Sequence, residues 1–312
     1  MKGLLDASVV VATVDRPASL ARCLDGLFAG EAIPREVIVA DQSPSGGTQA
    51  VVDERARMGL PVVRMALSKR GAAMARNAGA RRARQPTIVF TDDDCLPDRR
   101  CLGELLAALE RPGHPAAATG RVLPLGPPAP HRHAVATRDS RRGADHKGAV
   151  LPWRAGTGGS IAIRREWLES VGGWDERLGP GTAAEAAEDI DLIRRLLRAG
   201  ATIRYEPKAV VFHERQDDRT FQGSRRRYGF GMGAAAGLWL REGDTTAPVF
   251  LGVWLAERTR MLIAAVWRGR WHAAGSEARM LVAAGSGLRH GLLAAGGPAP
   301  VRLTYPGRPH GS

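Results

Sequence analysis

The chain is poor in cysteine and in long apolar runs, and each shortage excludes a class of protein. Its 312 residues include only three cysteines, Cys23, Cys95 and Cys101. An odd number without ligand-like spacing excludes a disulfide framework and a zinc site, and it indicates a reducing compartment. No stretch of 18 or more apolar residues occurs, so we expect no helix that spans a bilayer.

The amino terminus also lacks the features of a signal peptide. In MKGLLDASVVVATV, Asp6 interrupts the apolar run and no small-residue cleavage site follows. We therefore expect a cytoplasmic protein.

Several loops that bind nucleotides or phosphate are missing. The chain has no GxxxxGK[ST] loop and no GxGxxG after a strand, which disfavours a kinase-like ATPase and a dinucleotide enzyme. An aspartyl phosphatase would carry Asp-x-Asp followed by Thr or Val near its first strand. Here the acidic cluster follows the fourth predicted strand and precedes Cys95, so that function is disfavoured as well.

The charge is strongly positive, and nearly all of the excess comes from arginine. The formal net charge is +13, from 45 Lys+Arg against 32 Asp+Glu. Such a balance suits a polyanionic partner, which could be nucleic acid, an anionic membrane surface or a phosphorylated small molecule. A GC-rich coding sequence would produce the same composition, so charge alone leaves the question open.

The first 120 residues alternate short β-rich runs with helical patterns. We predict a strand at 8–14, a helix from Pro17, a strand at 36–43 and a strand at 87–91. Helices at about 48–58 and 71–84, with the strand PVVRM between them, complete the alternation. Continuous apolar strands alternating with helices predict an α/β fold with a mainly parallel sheet covered on both faces.

Polar residues follow three of these strands. They are Thr13 with Asp15, Asp41, and the run Asp92, Asp93 and Asp94. Ligands bind outside the carboxyl ends of parallel strands, so three such ends suggest one site. Clustered carboxylates repel one another unless a cation or strong donors hold them. A hard cation such as Mg²⁺ or Mn²⁺, bound together with a phosphate, fits this cluster.

Beyond residue 120 the pattern becomes less regular. Residues 124–150 are rich in proline and basic residues, and we predict a mobile loop. A strand at about 158–164, an amphipathic helix ended by Gly200 and two strand segments ending at His213 follow. We divide the chain into a catalytic domain at 1–220 and a basic, amphipathic helical region at 221–312.

These motifs together resemble the inverting glycosyltransferases of family 2, over about residues 6–215. The stretches that carry the resemblance are VVVATVDRPASLARCLDGL, VIVADQSPSG, GAAMARNAGARRA, VFTDDDC, VGGWDERL and AEDIDLIRRLLRAG. The resemblance implies a GT-A fold, a Rossmann-like, mainly parallel sheet flanked by helices. It also implies a nucleotide-sugar donor, Mn²⁺ or Mg²⁺, and a glycan or lipid-linked acceptor in cell-envelope glycan, glycolipid or polysaccharide synthesis.

The resemblance implies a role for each matched position. Asp41 would contact the base, near Thr13 and Asp15, while Arg76 and Asn77 would lie on the donor side. In the aspartate cluster, Asp92 and Asp93 would bind the donor. The metal ligands would be Asp92, Asp94 and the distant His213. Where members of the family often have Asn before the acceptor turn, this chain has Ser160, so no acceptor preference carries over.

The resemblance also implies that Glu188 and Asp189 are the catalytic carboxylates, with Asp189 as the general base. Inversion requires one base that deprotonates the acceptor hydroxyl during its attack on the anomeric carbon. A carboxylate at a helix start is favoured in its ionised form by the helix dipole. First-turn acids often have no catalytic role, and the distant aspartate cluster is what favours Asp189.

The carboxyl-terminal region is apolar, rich in tryptophan and basic. Residues 221–312 contain 12 Arg against 4 Asp+Glu. A broad helical face is predicted at 250–271 from Phe250, Leu251, Trp254, Leu255, Leu262, Ile263, Val266 and Trp267. The charged residues Glu257, Arg258, Arg260, Arg268 and Arg270 interrupt it, so we predict a helix lying on an anionic membrane surface, at the inner face of the cell membrane. Packing of this face on the catalytic domain, or in a homodimer, is the alternative.

Two other functions compete with sugar transfer. A basic membrane- or nucleic-acid-binding protein with a degenerate site would not need the full set of acids and His213. A nucleotidyltransferase would need a Gly-rich phosphate loop followed by a basic residue, which VVVATVDRPAS lacks. We therefore favour the metal-dependent transferase, with no nucleic-acid partner.

Overall fold

The computed structural model describes residues 3–294. The first part of the chain alternates strands and helices in the predicted order. Its elements are β1 Gly3–Thr13, α1 Pro17–Ala29, β2 Ala32–Asp41, α2 Gly47–Arg57, β3 Val62–Ala66, α3 Ala72–Arg82, β4 Thr87–Asp92, β5 Cys95–Pro97 and α4 Cys101–Leu109.

The second part contributes more strands and ends in three long helices. Its elements are β6 Ala117–Pro124, β7 Arg132–His133, β8 Ala144–His146, α5 Pro152–Ala155, β9 Ser160–Arg164, α6 Arg165–Ser170, α7 Glu188–Arg198, β10 Ile203–His213, β11 Gln216–Asp217, α8 Asp218–Arg241, α9 Ala247–Trp267 and α10 Trp271–Leu293.

Nine strands form one mixed, mainly parallel sheet flanked by helices, as the alternation predicted. Its order is β3-β2-β1-β4-β9-β6-β10-β5, and β8 pairs with β10. The pairs among β3, β2, β1 and β4 are parallel, as is β6 with β10, while β9 runs antiparallel between β4 and β6. The carboxyl ends of β1, β2 and β4 therefore meet at one edge.

Alternate side chains of the central strands enter two apolar layers. Val9, Val11 and Val89 face α1 and α4, whereas Val10 and Phe90 face α3 and α7. This two-residue alternation is the reason that the strands are apolar throughout, since both faces of the sheet are covered. The burial fixes the register that carries the polar strand ends to one site.

Two details of the predicted middle region differ from the structure. The last strand segments form one strand, β10, whose register with β6 shifts between Glu206 and Val210 around Pro207. A proline that cannot donate a ladder hydrogen bond explains this irregularity. Residues 124–150 contain two short strands, β7 paired with β11 and β8 paired with β10. Their predicted mobility stays a prediction.

The helices α8, α9 and α10 form a unit that shares a core with the helix α7. Leu178 and Ala187 near the start of α7 belong to the same apolar cluster as Trp239 of α8 and Trp254 of α9. The predicted boundary at residue 220 falls in the first turn of α8. Glu277 of α10 pairs with Arg225 of α8 and with Arg258 of α9, which joins all three helices.

Glycines allow α8 and α10 to approach closely, and the two helices run parallel. A Cβ on Gly229 would collide with the backbone of Met280, and one on Gly237 would lie 2.6 Å from the carbonyl oxygen of Leu288. A side chain at these positions would therefore force the helices apart. Residues early in α8 contact residues early in α10, and later residues contact later ones, so the two helices run parallel.

The face predicted at 250–271 is divided between two environments. Leu251 and Trp254 are buried, and Phe250 and Leu255 pack against the same cluster. Ile263, Val266 and Trp267 are exposed. The predicted continuous surface face is therefore wrong for the first half of α9, because Arg194 of α7 and the α8 side chains cover it. Among residues 3–294, no helix is long and apolar enough to cross a bilayer.

Candidate active site

The polar ends of β1, β2 and β4 lie side by side. Thr13 is in register with Asp41, and Ala12 is in register with Asp92. The strand-end residues that the sequence singled out therefore converge at one edge of the sheet, as predicted from its parallel order.

Within the aspartate cluster, Asp93 points to the end of β1. Thr13 Oγ1 donates to Asp93 Oδ2 at 2.7 Å, and Arg16 Nη1 lies 3.2 Å from Asp93 Oδ1. Burial, together with the neighbouring charge of Asp94, raises the pKa of Asp93 to about 6 in spite of these donors. Burial raises the pKa of Asp94 as well, so two neighbouring acids of this run are less readily ionised than free aspartate.

Asp94 lies in a group of side chains that could hold a metal ion. One ligand atom each from Asp92, Asp94, Cys95 and His213 lie within 4.8 Å of one another. His213 Nε2 is 3.5 Å from Asp94 Oδ1, and Arg16 Nη1 is 2.8 Å from Asp94 Oδ2. The structure therefore brings His213, which lies more than 100 residues along the chain, to the aspartate cluster.

Arg76 joins the aspartate cluster to the predicted catalytic helix. Its Nη2 donates to Asp92 Oδ1 at 2.7 Å, and its Nη1 donates to Glu188 Oε1 at 2.9 Å. The guanidinium also lies over the ring of Trp174, 4.6 Å from its centroid. Burial alone would lower the pKa of Arg76, but the charges of Asp92 and Glu188 outweigh it and raise that pKa. Arg76 is therefore a fixed cation between two acids.

Asp41 and Asp15 lie at the neighbouring strand ends. Asp41 is buried, and its Oδ2 accepts from Arg64 Nε at 2.7 Å while Oδ1 accepts from Ser43 N at 2.9 Å. Asp15 has a positive φ of 51°, an uncommon conformation for a residue with a side chain. Its backbone N donates to Ser43 Oγ at 2.8 Å. The ends of β1 and β2 are thus held together.

Asn77 contacts the turn at 173–176, upstream of the helix α7. Its Nδ2 donates to the carbonyl oxygen of Trp174 and to Glu176 Oε1, each at 2.9 Å, and its Oδ1 accepts from Trp174 N at 2.8 Å. These bonds fix α3 against the 173–176 turn and so hold Trp174 under Arg76. The implied donor contact of Asn77 stays a prediction.

The helix α7 begins in a strained turn that presents Asp189 to the cleft. Ala187, which precedes the helix, has φ of 76°, and Glu185 has φ of 65°. Such conformations cost about 1–3 kcal/mol for residues with a side chain and are often found at functional sites. Asp189 Oδ2 accepts from Gly158 N at 3.0 Å, and Oδ1 accepts from Ile190 N at 2.8 Å.

Two glycines separate Asp189 from the aspartate cluster. A Cβ on Gly158 would lie 3.1 Å from Asp189 Cβ, and a Cβ on Gly159 would lie 3.0 Å from Asp92 Oδ2. Asp92 and Asp189 therefore flank one Gly-Gly segment, and the close approach requires residues without side chains.

The third acid of the α7 motif, Asp191, faces away from the cleft. Its Oδ1 accepts from Trp239 Nε1 of α8 at 2.8 Å. The neighbouring Arg194 pairs with Asp244 and stacks on Trp239, 4.2 Å from the ring. The helix that carries Asp189 is thus anchored on the carboxyl-terminal helices.

Tyr228 of α8 also faces this site, which the sequence pattern did not reveal. A Cβ on Gly231 would lie 2.7 Å from Ala186 Cβ, and Arg226 pairs with Glu185 at 2.6 Å. Burial, followed by the charges of Asp189, Asp92, Glu188 and Asp94, raises the pKa of Tyr228, although its side chain is 38% exposed. Tyr228 is therefore near enough to these acids for their charges to act on it, while part of its side chain is in contact with solvent.

Comparison with known proteins assigns a family to this arrangement. The model of the family described as "Glycosyl transferase family 2" matches residues 8–172, more than half of the chain. The chain belongs to glycosyltransferase family 2. The family 2 match includes the three strand ends, Arg76, the aspartate cluster and the segment at Gly158 and Gly159, and it ends just before the turn at Trp174.

Curated relatives of this glycosyltransferase occur in Mycobacterium tuberculosis. Proteins named "Pre-mycofactocin glycosyltransferase", from strains CDC 1551 / Oshkosh and H37Rv, are 29% identical to it over 250 residues. The alignment covers 79% of this chain but 50% of each relative, so the match spans about half the length of the curated proteins.

Solved structures with the same fold confirm the GT-A architecture. A mannosyltransferase from Pyrobaculum calidifontis, solved with GDP-Man and Mn²⁺, has a TM-score of 0.61 at 19% identity, covering 92% of this chain and 87% of that one. S. aureus TarS 1-349 with UDP-GlcNAc has a TM-score of 0.54 at 14% identity, covering 93% and 91%. At such identities the likeness shows the fold.

Proposed function

We propose that this glycosyltransferase is a metal-dependent, inverting enzyme that uses Asp189 as its general base. The observation that carries the proposal is the placement of Asp92 and Asp189 on either side of Gly158 and Gly159. The metal-binding group would then lie at the leaving diphosphate, and the fixed carboxylate would lie at the acceptor hydroxyl that attacks the anomeric carbon. Neighbours in complex with GDP-Man and UDP-GlcNAc support a nucleoside diphosphate sugar as the donor.

The donor atoms at the aspartate cluster fit Mn²⁺ or Mg²⁺. His213 Nδ1 lies 2.8 Å from the carbonyl oxygen of Glu214, which can only accept, so Nδ1 carries the proton. In the neutral ring, Nε2 then has a lone pair on the side of Asp94. Burial raises the pKa of the Cys95 thiol well above its usual value, and a hard cation prefers carboxylate oxygen to sulfur. The remaining ligand set, Asp92, Asp94 and His213, is the oxygen-rich kind that a hard cation prefers.

When bound, the cation would neutralise the charge that develops on the leaving diphosphate. The chain would contribute the other functions itself. Arg76 holds the carboxylate of Asp92 in place through a charge-assisted bond. We propose that Asp15, after β1, and Asp41, at the end of β2, contact the base and ribose of the donor. Thr13 holds Asp93 by a hydrogen bond, between these residues and the metal ligands.

Asp189 is placed to remove a proton from an acceptor hydroxyl. Each of its carboxylate oxygens accepts one backbone N–H, from Gly158 or Ile190, which sets the orientation of the group. Each oxygen retains lone-pair capacity for a further partner. Glu188, in contrast, is bound to Arg76, so we propose that it positions Arg76 and leaves the base role to Asp189.

The acceptor is proposed to be a glycan or a lipid-linked saccharide of the cell envelope, met at the inner face of the cell membrane. The alternative for the exposed part of the carboxyl-terminal helices is contact between two copies of the chain. The strongly basic charge of the chain supports an anionic environment or substrate.

A ligand screen tests this proposal. We expect a thermal shift with UDP-, GDP- or dTDP-sugars in the presence of Mn²⁺ or Mg²⁺, and loss of that shift when the metal is chelated. Equal stabilisation with and without the metal would contradict metal dependence. No stabilisation by any nucleoside diphosphate sugar would contradict the donor class.

A further inference from the structure

The turn between α9 and α10 forms an exposed apolar tip. Trp267 is 87% exposed and Trp271 is 70% exposed, and they flank the three-residue connection 268–270. Ile263 and Val266 on the last turns of α9 are exposed beside them. We refer to Ile263, Val266, Trp267 and Trp271 as the tryptophan tip. Two large exposed indoles at a helix turn are unfavourable in water unless another phase or partner covers them.

The charges around the tryptophan tip have one sign. Arg260, Arg268 and Arg270 lie on the same connection and the preceding turns, and none forms an ion pair within the described residues. Residues 259–276 contain no acid. At the neighbouring start of α8, Asp217 caps the helix and Asp218 contacts His131 and His133. The arginines are therefore available to external anions.

The tryptophan tip is level with the start of α8, and the catalytic cleft is level with the middle of that helix. Ser276 of α10 contacts Gln222 of α8, and Met280 is level with Gly229, so Trp271 is level with the start of α8. Tyr228, near the acids of the cleft, lies two to three turns further along α8. At 1.5 Å per residue, the tip and this level are separated by roughly 10–20 Å along the axis.

We propose that the tryptophan tip is a docking element for an anionic lipid bilayer. Indole rings partition to the interface between headgroups and acyl chains, and unpaired arginines attract anionic headgroups. The proposal rests on the proposed function in one respect, since it names the surface at which a lipid-linked acceptor would meet Asp189. The covered half of α9, around Trp254, packs in the cluster shared with Ala187 and so fixes the position of the tip relative to the catalytic domain.

Vesicle flotation of the full-length chain tests the proposal. The protein should float with phosphatidylcholine vesicles that contain phosphatidylglycerol, and flotation should weaken in high salt and with phosphatidylcholine alone. The double variants Trp267→Ala/Trp271→Ala and Arg268→Glu/Arg270→Glu should each lower the partition coefficient by about tenfold or more. Because all four side chains are exposed, these changes should leave the melting temperature within about 2 °C of the wild type.

Matched controls separate the tip from general charge and from catalysis. Arg81→Glu/Arg82→Glu, on exposed positions of α3, makes the same change in net charge and should float like the wild type, as should Val282→Ser on α10. The Asp189→Asn variant should also float normally, so a failure of transfer is distinguishable from a failure of docking. Absence of flotation, or flotation that survives the tryptophan substitutions, would overturn the proposal. A lipid-free dimer that these substitutions abolish, with flotation intact, would instead identify the tip as a contact between two copies of the chain.

Discussion

The guanidinium of Arg16 lies on the carboxylate of Asp94, with Nη1 2.8 Å from Oδ2. The same Nη1 is 3.2 Å from Asp93 Oδ1, so Arg16, the residue before α1, pairs with two of the three clustered acids. Arg16 therefore partly relieves the charge repulsion among the three aspartates. A divalent cation at Asp92, Asp94 and His213 would compete with Arg16 for Asp94.

Replacing Arg16 should accordingly favour the metal in the absence of nucleotide. We expect Arg16→Ala to tighten Mn²⁺ binding by up to about fivefold, since Arg16 is half exposed and its ion pairs are solvent-screened. Titration calorimetry with Mn²⁺ alone measures this change. Arg35→Ala, which removes a remote ion pair with Asp6, should leave the affinity unchanged. Weaker binding by Arg16→Ala would mean that Arg16 supports the metal site.

His213 should contribute directly to metal binding. We expect His213→Ala to weaken Mn²⁺-dependent binding of a nucleoside diphosphate by about tenfold or more, because a ligand and its ordered contact are both lost. Calorimetry with and without Mn²⁺ measures the effect, and the exposed His272→Ala serves as the control. An unchanged metal dependence in His213→Ala would give this histidine a structural role.

Tyr228 should act on the acceptor side of the cleft. Removing its hydroxyl in Tyr228→Phe should raise the acceptor KM by about two- to tenfold, the range for one hydrogen bond, with the donor KM unchanged. Tyr205→Phe is the control, since the Tyr205 hydroxyl donates to the carbonyl oxygen of Ser140, in the 124–150 segment, and should affect stability alone. A change confined to the donor KM would contradict the assignment.

Asp244 should stabilise the junction between α7 and the carboxyl-terminal helices in a pH-dependent way. Burial alone would raise the pKa of Asp244, but the hydrogen bonds from Thr246 and Arg194 and the charge of Arg194 hold it below its usual range. A carboxyl with a lowered folded-state pKa stabilises fully above its unfolded value, near 4, and loses that contribution as the pH falls further.

The variant Asp244→Asn should therefore melt about 5 °C below the wild type at pH 7, because Arg194 is left without its charged partner. The difference should shrink as the pH falls below about 4, because Asp244 in the unfolded wild-type chain then binds a proton that folded Asp244, with its lowered pKa, still excludes. Calorimetric melting at several pH values measures it. A difference that grows at low pH would contradict the ion-pair explanation.

Local sequence was sufficient for the order of elements and for the strand ends of the site. The apolar runs of β1, β2 and β4 and the acids that follow them are short-range patterns, and the parallel order brings their ends together. The proximity of Asp92 to Asp189 could not be predicted from local sequence. Their relation depends on Gly158 and Gly159, whose small size appears in the sequence but whose position between the two acids depends on the packing of β9.

The partners of the predicted residues could not be found from the sequence. Arg16, Arg64 and Arg76 are three among many arginines, and a long flexible side chain has no local pattern that determines its carboxylate. Tyr228 reaches the cleft because Gly231 allows α8 to contact Ala186. The amphipathic pattern of α9 likewise did not distinguish the part covered by α7 and α8 from the exposed tryptophan tip.

The base role of Asp189 is the central claim, and one variant tests it most directly. Asp189→Asn keeps the shape of the side chain and can still accept from Gly158 or Ile190, so donor binding should be retained. Release of nucleoside diphosphate from the bound donor, with the acceptor or with water in its place, should fall by about 10²–10⁴-fold. The exposed Asp53→Asn on α2 should react like the wild type. If Asp189→Asn binds the donor and turns it over within about threefold of the wild-type rate, Asp189 is not the base and the account is wrong.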